Sequence, residues 1–194
     1  MKRISVWFLW LAIAGLLFGC TMHKQPDTAG PGHQESASLK LKSIQDMKKA
    51  ALQGRMKEIK MPLGSTFQEI AQTYGEPEGI SNEECWTYSY GHTRTEGAFY
   101  FHHDSCSDGL NVLKPETTLN KISVTAEFLQ IRMTAEDVKL ALGNPDIEYV
   151  GEAYGGYYLI YNLAPYQLIF IADMHSESKS IHKVNVTRIN EKQS

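Results

Sequence analysis

The chain has no GxSxG, no HExxH and no Ser-x-x-Lys set beside supporting motifs, so it carries none of the usual serine or zinc hydrolase signatures. Basic density is missing beyond residue 60: residues 61–194 hold nine Lys or Arg against eighteen Asp or Glu. So acidic a body argues against nucleic acid, which requires a dense basic footprint. Cysteine is scarce, at three residues, so any disulfide framework is a single bridge. Long apolar runs are absent as well, apart from one between Ile4 and Phe18.

That run follows Met1-Lys2-Arg3 and contains 15 uncharged residues, the basic and apolar regions of a secretory signal. It is shorter than the ~20 apolar residues that a permanent membrane helix needs. At its end Leu17-Phe18-Gly19-Cys20 resembles the bacterial lipoprotein cleavage box, although Phe18 is bulkier than is usual there. The resemblance implies that residues 1–19 are removed as a lipoprotein signal peptide and that the Cys20 thiol receives a diacylglycerol. A further acyl chain such as palmitate on the new amino terminus would strengthen the membrane anchor, at about 0.8 kcal/mol per buried methylene. The expected location is extracytoplasmic, at the cell membrane. Residues 20–38 comprise the lipidated Cys and a flexible tether rich in Gly, Pro, Ser, Thr and Gln. A globular domain is expected over 39–190, long enough for one real core. Its first part is basic: residues 40–60 hold seven Lys or Arg against Asp46 and Glu58. Such a segment suits either a solvated helix face or contact with anionic lipid headgroups.

The domain repeats itself at an offset of 68. Leu63, Thr66, Glu69, Ile70, Gly75, Pro77 and Glu78 align with Ile131, Thr134, Asp137, Val138, Gly143, Pro145 and Asp146. Thr66 with Glu69, and Thr134 with Asp137, have the spacing of a capping box, in which the hydroxyl accepts from an orphan amide and the carboxylate reaches back. Gly75 and Gly143 supply a helix stop, and Pro77 and Pro145 forbid continuation. Alternating, aromatic-rich runs follow each helix and predict strands over 85–90, 97–103 and 121–125, then over 157–162, 167–172 and 183–188. Ahead of the first copy, Ile44, Met47 and Ala51 recur at helical spacing, which predicts a helix over about 39–53 with Gly54 as its stop. The expected fold is α+β: two tandem helix-plus-β-meander repeats, about 39–127 and 128–190, forming an antiparallel sheet with helices packed on one face.

Arg132-Met133-Thr134 with Leu142-Gly143-Asn144-Pro145 resembles the signature of the BamE (SmpA/OmlA) lipoproteins and the fold-related β-lactamase inhibitor proteins, which usually carry Gly-Met-Thr at the first position. From Leu39 to Thr187 the chain resembles more closely a YjgB-like group of Gram-positive lipoproteins, a domain of unknown function. The shared features are the helix ending Gln53-Gly54, the Gly75-Glu76-Pro77 and Gly143-Asn144-Pro145 turns, and Tyr166-Gln167-Leu168-Ile169-Phe170. These motifs are structural, so the resemblance implies a fold and leaves activity open.

Cys85 and Cys106 form a disulfide candidate across the hairpin between the first two strands, in a compartment where thiols oxidise. Two free thiols are the alternative, and a bridge that forms and is reduced reversibly would make the chain a thiol-based envelope stress sensor. A third reading gathers His102, His103 and Cys106 into a metal site of an extracytoplasmic hydrolase or metal-dependent enzyme. Adjacent strand residues point to opposite faces, however, which works against His102 and His103 sharing one ion. No catalytic residue, cofactor or metal is expected. Trp86, Tyr88 and Tyr90 share one strand face, as do Tyr157 and Tyr161, and such rings bury area with little rotamer entropy lost. They are the binding-surface candidates of a non-catalytic domain whose partner is a protein or a cell-envelope component.

Overall fold

The computed structural model describes residues 31–83, 86–102 and 113–189, and no side chain is described at 31–35, 83, 102 or 154. The signal peptide, Cys20, Cys85, His103 and Cys106 lie outside the described residues, so the lipidation site and the disulfide candidate do too.

Helix α1 (Pro31–Ala51) buries Ile44, Met47 and Ala51 completely, as their spacing demands, and carries Lys48 and Lys49 against the negative end of its dipole. It begins eight residues ahead of Leu39, so residues 31–38, expected in the tether, are helical. Helix α2 (Phe67–Tyr74) opens with the expected capping box: the Glu69 amide donates to Thr66 Oγ1 at 3.2 Å and the Thr66 amide donates to Glu69 Oε2 at 2.8 Å. Helix α3 (Ala135–Leu142) repeats it with Thr134 and Asp137 at 3.2 and 2.8 Å. Burial alone would raise the Asp137 carboxyl, but the Thr134 amide and the Lys40 ammonium outweigh it and hold the group below its ordinary value. Lys40, 3.0 Å from Asp137, thereby ties α1 to α3.

Each of these two short helices is followed by four strands. After α2 come β1 (Gly79–Glu83), β2 (Trp86–Tyr90), β3 (Ala98–His102) and β4 (Leu119–Thr125). After α3 come β5 (Ile147–Gly151), β6 (Gly156–Leu163), β7 (Tyr166–Asp173) and β8 (Ile181–Arg188). All eight form one antiparallel sheet in the order β1-β2-β3-β4-β8-β7-β6-β5, so each meander lies outward from a central β4–β8 pair. Thr66 bridges Thr118 and Thr134 bridges Ser180, which places both helix starts against the strand that closes their own meander.

The edge strands β1 and β5 were not expected. Every residue from Ile147 to Val150 is exposed, and a strand open on both faces shows no alternation to read. The core lies between the three helices and one sheet face, where Phe99, Phe101, Leu119, Leu159, Leu168 and Phe170 are fully buried.

Candidate functional site

Strand register decides which side chains share a face. Phe99 pairs with Ile122, Ile122 with Val186, Val186 with Leu168 and Leu168 with Tyr161, so these five point the same way. Phe99 stacks on Tyr74 of α2 with ring centroids 5.5 Å apart, and the Tyr161 hydroxyl donates to the Gly143 carbonyl that closes α3, at 2.9 Å. This is therefore the helix-covered face. The other face runs from Ala98 through Ser123, Asn185, Ile169 and Ile160 to Ile147, and among the described residues no helix crosses it.

Trp86, Tyr88 and Tyr90 lie on this second face, joined by Tyr100, which pairs with Tyr88. Tyr88 stacks on Tyr100 at 4.8 Å, and Trp86 meets the Tyr100 ring edge-on at 6.2 Å. Lys121 from β4 sits 3.7 Å above the Tyr100 centroid and 5.0 Å from the Trp86 ring, so an ammonium is held over both π faces. At the far end of the sheet Tyr149 and Tyr158 stack at 4.8 Å, beside Ile147 and Ile160. Between the two aromatic groups runs a polar stripe of Ser123, Asn185, Thr187 and Gln167. Asn185 is 8% exposed and its Oδ1 has no hydrogen-bond partner.

Tyr157 and Tyr161 do not join this surface. They face the helices, and Tyr161 is a core residue whose hydroxyl is pushed up to about 12 by burial. Tyr157 donates to Glu148, whose carboxylate also holds Lys139 at 2.9 Å. The Glu148 bond holds Lys139 above its ordinary value, the Tyr157 and Lys139 bonds hold Glu148 below its own, and burial with Glu148 raises Tyr157. Every member is thus pushed deeper into the charge state it already has at neutral pH, which suits a clasp between α3 and β5 and not proton transfer. The outward aromatics of the second meander are Tyr149 and Tyr158, which the sequence alone did not single out.

A hydroxyl and an imidazole also meet on the covered face. His92 Nδ1 lies 2.7 Å from the Gly75 carbonyl, which can only accept, so the proton is on Nδ1 and Nε2 accepts from Ser89 Oγ at 2.9 Å. With Ser89 fully buried and His92 3% exposed, no substrate reaches the pair. It latches the loop after β2 onto the end of α2, where Arg94 N and Thr93 Oγ1 both donate to the Tyr74 carbonyl. Burial holds the His92 imidazole below its ordinary value, against the Gly75 carbonyl and Glu76, which favour the charged ring. A depressed folded value means that the unfolded chain takes up the proton first as pH falls. The latch should therefore stabilise fully above about pH 6.5 and weaken as pH drops through the folded value. Urea midpoints at pH 7.5 and 5.5 should fall toward acid in the wild type and fall less in His92→Gln. The part that persists belongs to His182, which burial and Lys183 also depress.

Of the His102, His103 and Cys106 cluster, only the backbone of His102 is described. Among the described residues no group of three or more His, Cys, Asp or Glu is placed to hold a metal ion.

No family model matches the chain, and no curated protein matches it. Among solved structures it matches the crystal structure of a DUF4309 family protein (YjgB) from Bacillus subtilis subsp. subtilis str. 168, with a TM-score of 0.58 and 16% identity, covering 80% of this chain and 99% of that one. The chain has the fold of that protein. The likeness bears out the expected resemblance to the YjgB-like group as one of fold, and it does not speak to the BamE resemblance.

Proposed function

We propose that the chain is a lipoprotein anchored outside the cytoplasm through Cys20, and that its domain binds a protein or cell-envelope component without catalysis, using the sheet face opposite the helices. The observation that carries this reading is the register, which puts Trp86, Tyr88 and Tyr90 on the same face as Tyr149 and Tyr158. A face flanked by Trp and Tyr around a polar centre offers large contact area and directional hydrogen bonds together. The unpartnered Asn185 Oδ1 supports it further, since an unmade bond at a buried acceptor costs about 1–3 kcal/mol that a donor on a partner would relieve.

Photo-crosslinking in intact cells tests the proposal. A crosslinker at Tyr90 or Tyr149 should capture one common species, and one at the helix-side residue Leu140, which is 74% exposed, should not. Trp86→Ala with Tyr88→Ala should weaken capture at least tenfold, as the loss of paired aromatic anchors does. Equal capture from Leu140, or capture indifferent to the double variant, rules out the sheet face. Intact mass of the mature protein checks the anchor separately: a product that begins at Cys20 with acyl chains is expected.

A further inference from the structure

We infer that the cleft between α1 and the turn that leads from β4 to α3 is a docking site for the phosphate headgroups of an anionic lipid surface. The cleft has a volume of about 890 Å³. Four cations line it, Lys40, Lys57, Arg94 and Arg132, against a single carboxylate, Glu58. Lys40 and Lys57 come from the basic segment 40–60, and the cleft adds to them Arg94 and Arg132, two of the nine basic side chains that residues 61–194 carry against eighteen acidic ones.

Two of the four cations are committed elsewhere. Lys40 pairs with Asp137 at 3.0 Å, and Lys57 donates to Ser43 at 2.9 Å with Glu58 at 3.5 Å. Arg94 and Arg132 are exposed, and neither makes an ion pair among the described residues. Among the described residues the Arg94 guanidinium makes only a long contact, 3.4 Å, to the Thr73 carbonyl. A guanidinium that has no carboxylate partner and lies on a concave wall is suited to bidentate contact with phosphate oxygens.

The remainder of the lining is mixed, with Ser36, Ser43 and Gln130 beside apolar side chains. Leu39 at the rim is 62% exposed, and Phe128 and Ile131 are only partly buried. Apolar side chains beside cations match the boundary between headgroups and acyl chains, where peripheral domains rest. The cleft also opens at the end of the molecule where the chain arrives: Ser36 is part of its wall, 16 residues after Cys20. Helix α1 begins at Pro31, 11 residues after Cys20, and that stretch reaches at most about 40 Å even if fully extended. The inference deepens the anchored reading by giving the tethered domain one orientation, with the cleft toward the membrane.

The test uses residues 20–194 with Cys20→Ser, so that neither the apolar run nor an attached lipid contributes and the anchor can fail without the cleft failing. Co-sedimentation at about 0.1 M salt, where charges within ~10 Å of a surface still act, should recover this chain with vesicles of equal phosphatidylglycerol and phosphatidylcholine but not with phosphatidylcholine alone. Arg94→Gln with Arg132→Gln should weaken the partition about 25-fold, fivefold for each charge removed near an anionic surface. The pair Arg94→Lys and Arg132→Lys should keep most of the binding. Lys114→Gln with Arg188→Gln removes the same charge away from the cleft and should change the partition less than threefold. Equal weakening by the two Gln pairs, or no preference for the anionic vesicles, overturns the proposal. Displacement from vesicles by millimolar inorganic phosphate at constant ionic strength overturns it too, by assigning the cleft to a free phosphate ligand.

Discussion

Phe99→Ala should lower the stability of the domain by about 3–5 kcal/mol, the cost of removing a buried aromatic ring and leaving its cavity. The ring is fully buried and joins three elements: it lies on β3, stacks on Tyr74 of α2 at 5.5 Å and receives the edge of His92 at 5.2 Å. Both of its partners are themselves pinned, Tyr74 by the Lys60 amide at 2.6 Å and His92 by the Gly75 carbonyl. They cannot collapse into the space, so the upper part of that range is expected. A urea melt of the variant at pH 7.5 checks it. The same substitution at Tyr90, which is 41% exposed on the opposite face, should cost less than about 1 kcal/mol.

The second large effect separates strain from collision. Gly75 and Gly143 close α2 and α3 in matching conformations, φ 88° with ψ 172° and φ 83° with ψ −171°. This region is accessible to little besides glycine, so alanine at either position carries about 1–3 kcal/mol of backbone strain. Their surroundings differ. A Cβ on Gly143 would meet nothing within 4 Å, whereas one on Gly75 would lie 2.2 Å from Thr93 Oγ1, the group that donates to the Tyr74 carbonyl. Gly75→Ala should therefore cost about 1 kcal/mol more than Gly143→Ala, since the part-buried bond from Thr93 to the Tyr74 carbonyl is lost as well. Made in a Thr93→Ala background, where that bond is already gone, Gly75→Ala should cost about as much as Gly143→Ala does in the wild type, whereas in a Thr93→Ser background, which keeps the hydroxyl, the gap should remain. Chemical melts of each variant paired with its own background read this directly.

Chemistry that is local along the chain was legible before any coordinates. A capping box needs only a hydroxyl and a carboxylate three residues apart, and both Thr66–Glu69 and Thr134–Asp137 close as their spacing implies. Strands with one buried face were legible for the same reason, since β2 and β6 alternate in burial over most of their length and β7 does so from Gln167 to Phe170. Edge strands were not, because exposure on both sides erases the pattern in β5. The direction of each face was also hidden. In β2 the covered side carries the small Thr87 and Ser89, because Tyr74, His92 and Phe99 already fill the space beneath α2, and its large rings turn outward. In β6 the covered side carries Leu159 and Tyr161, and a tyrosine can be accommodated there because its hydroxyl finds the Gly143 carbonyl. An amphipathic ring satisfies either side, so its identity does not reveal which one it occupies. The basic cleft draws Arg94, Arg132 and Lys40 from three distant parts of the chain, and no run of sequence announces it.

The seam between β4 and β8 sets an order of events during synthesis. β4 is complete by Thr125, yet its partner β8 is finished only at Arg188. Until those final residues leave the ribosome, the first four strands have an open margin of unsatisfied amides and carbonyls, the kind of edge that recruits other chains. A nascent polypeptide stalled short of residue 181 would carry that sticky margin permanently, so the hazard of aggregation falls on truncated products and ends only when the C-terminal strand docks.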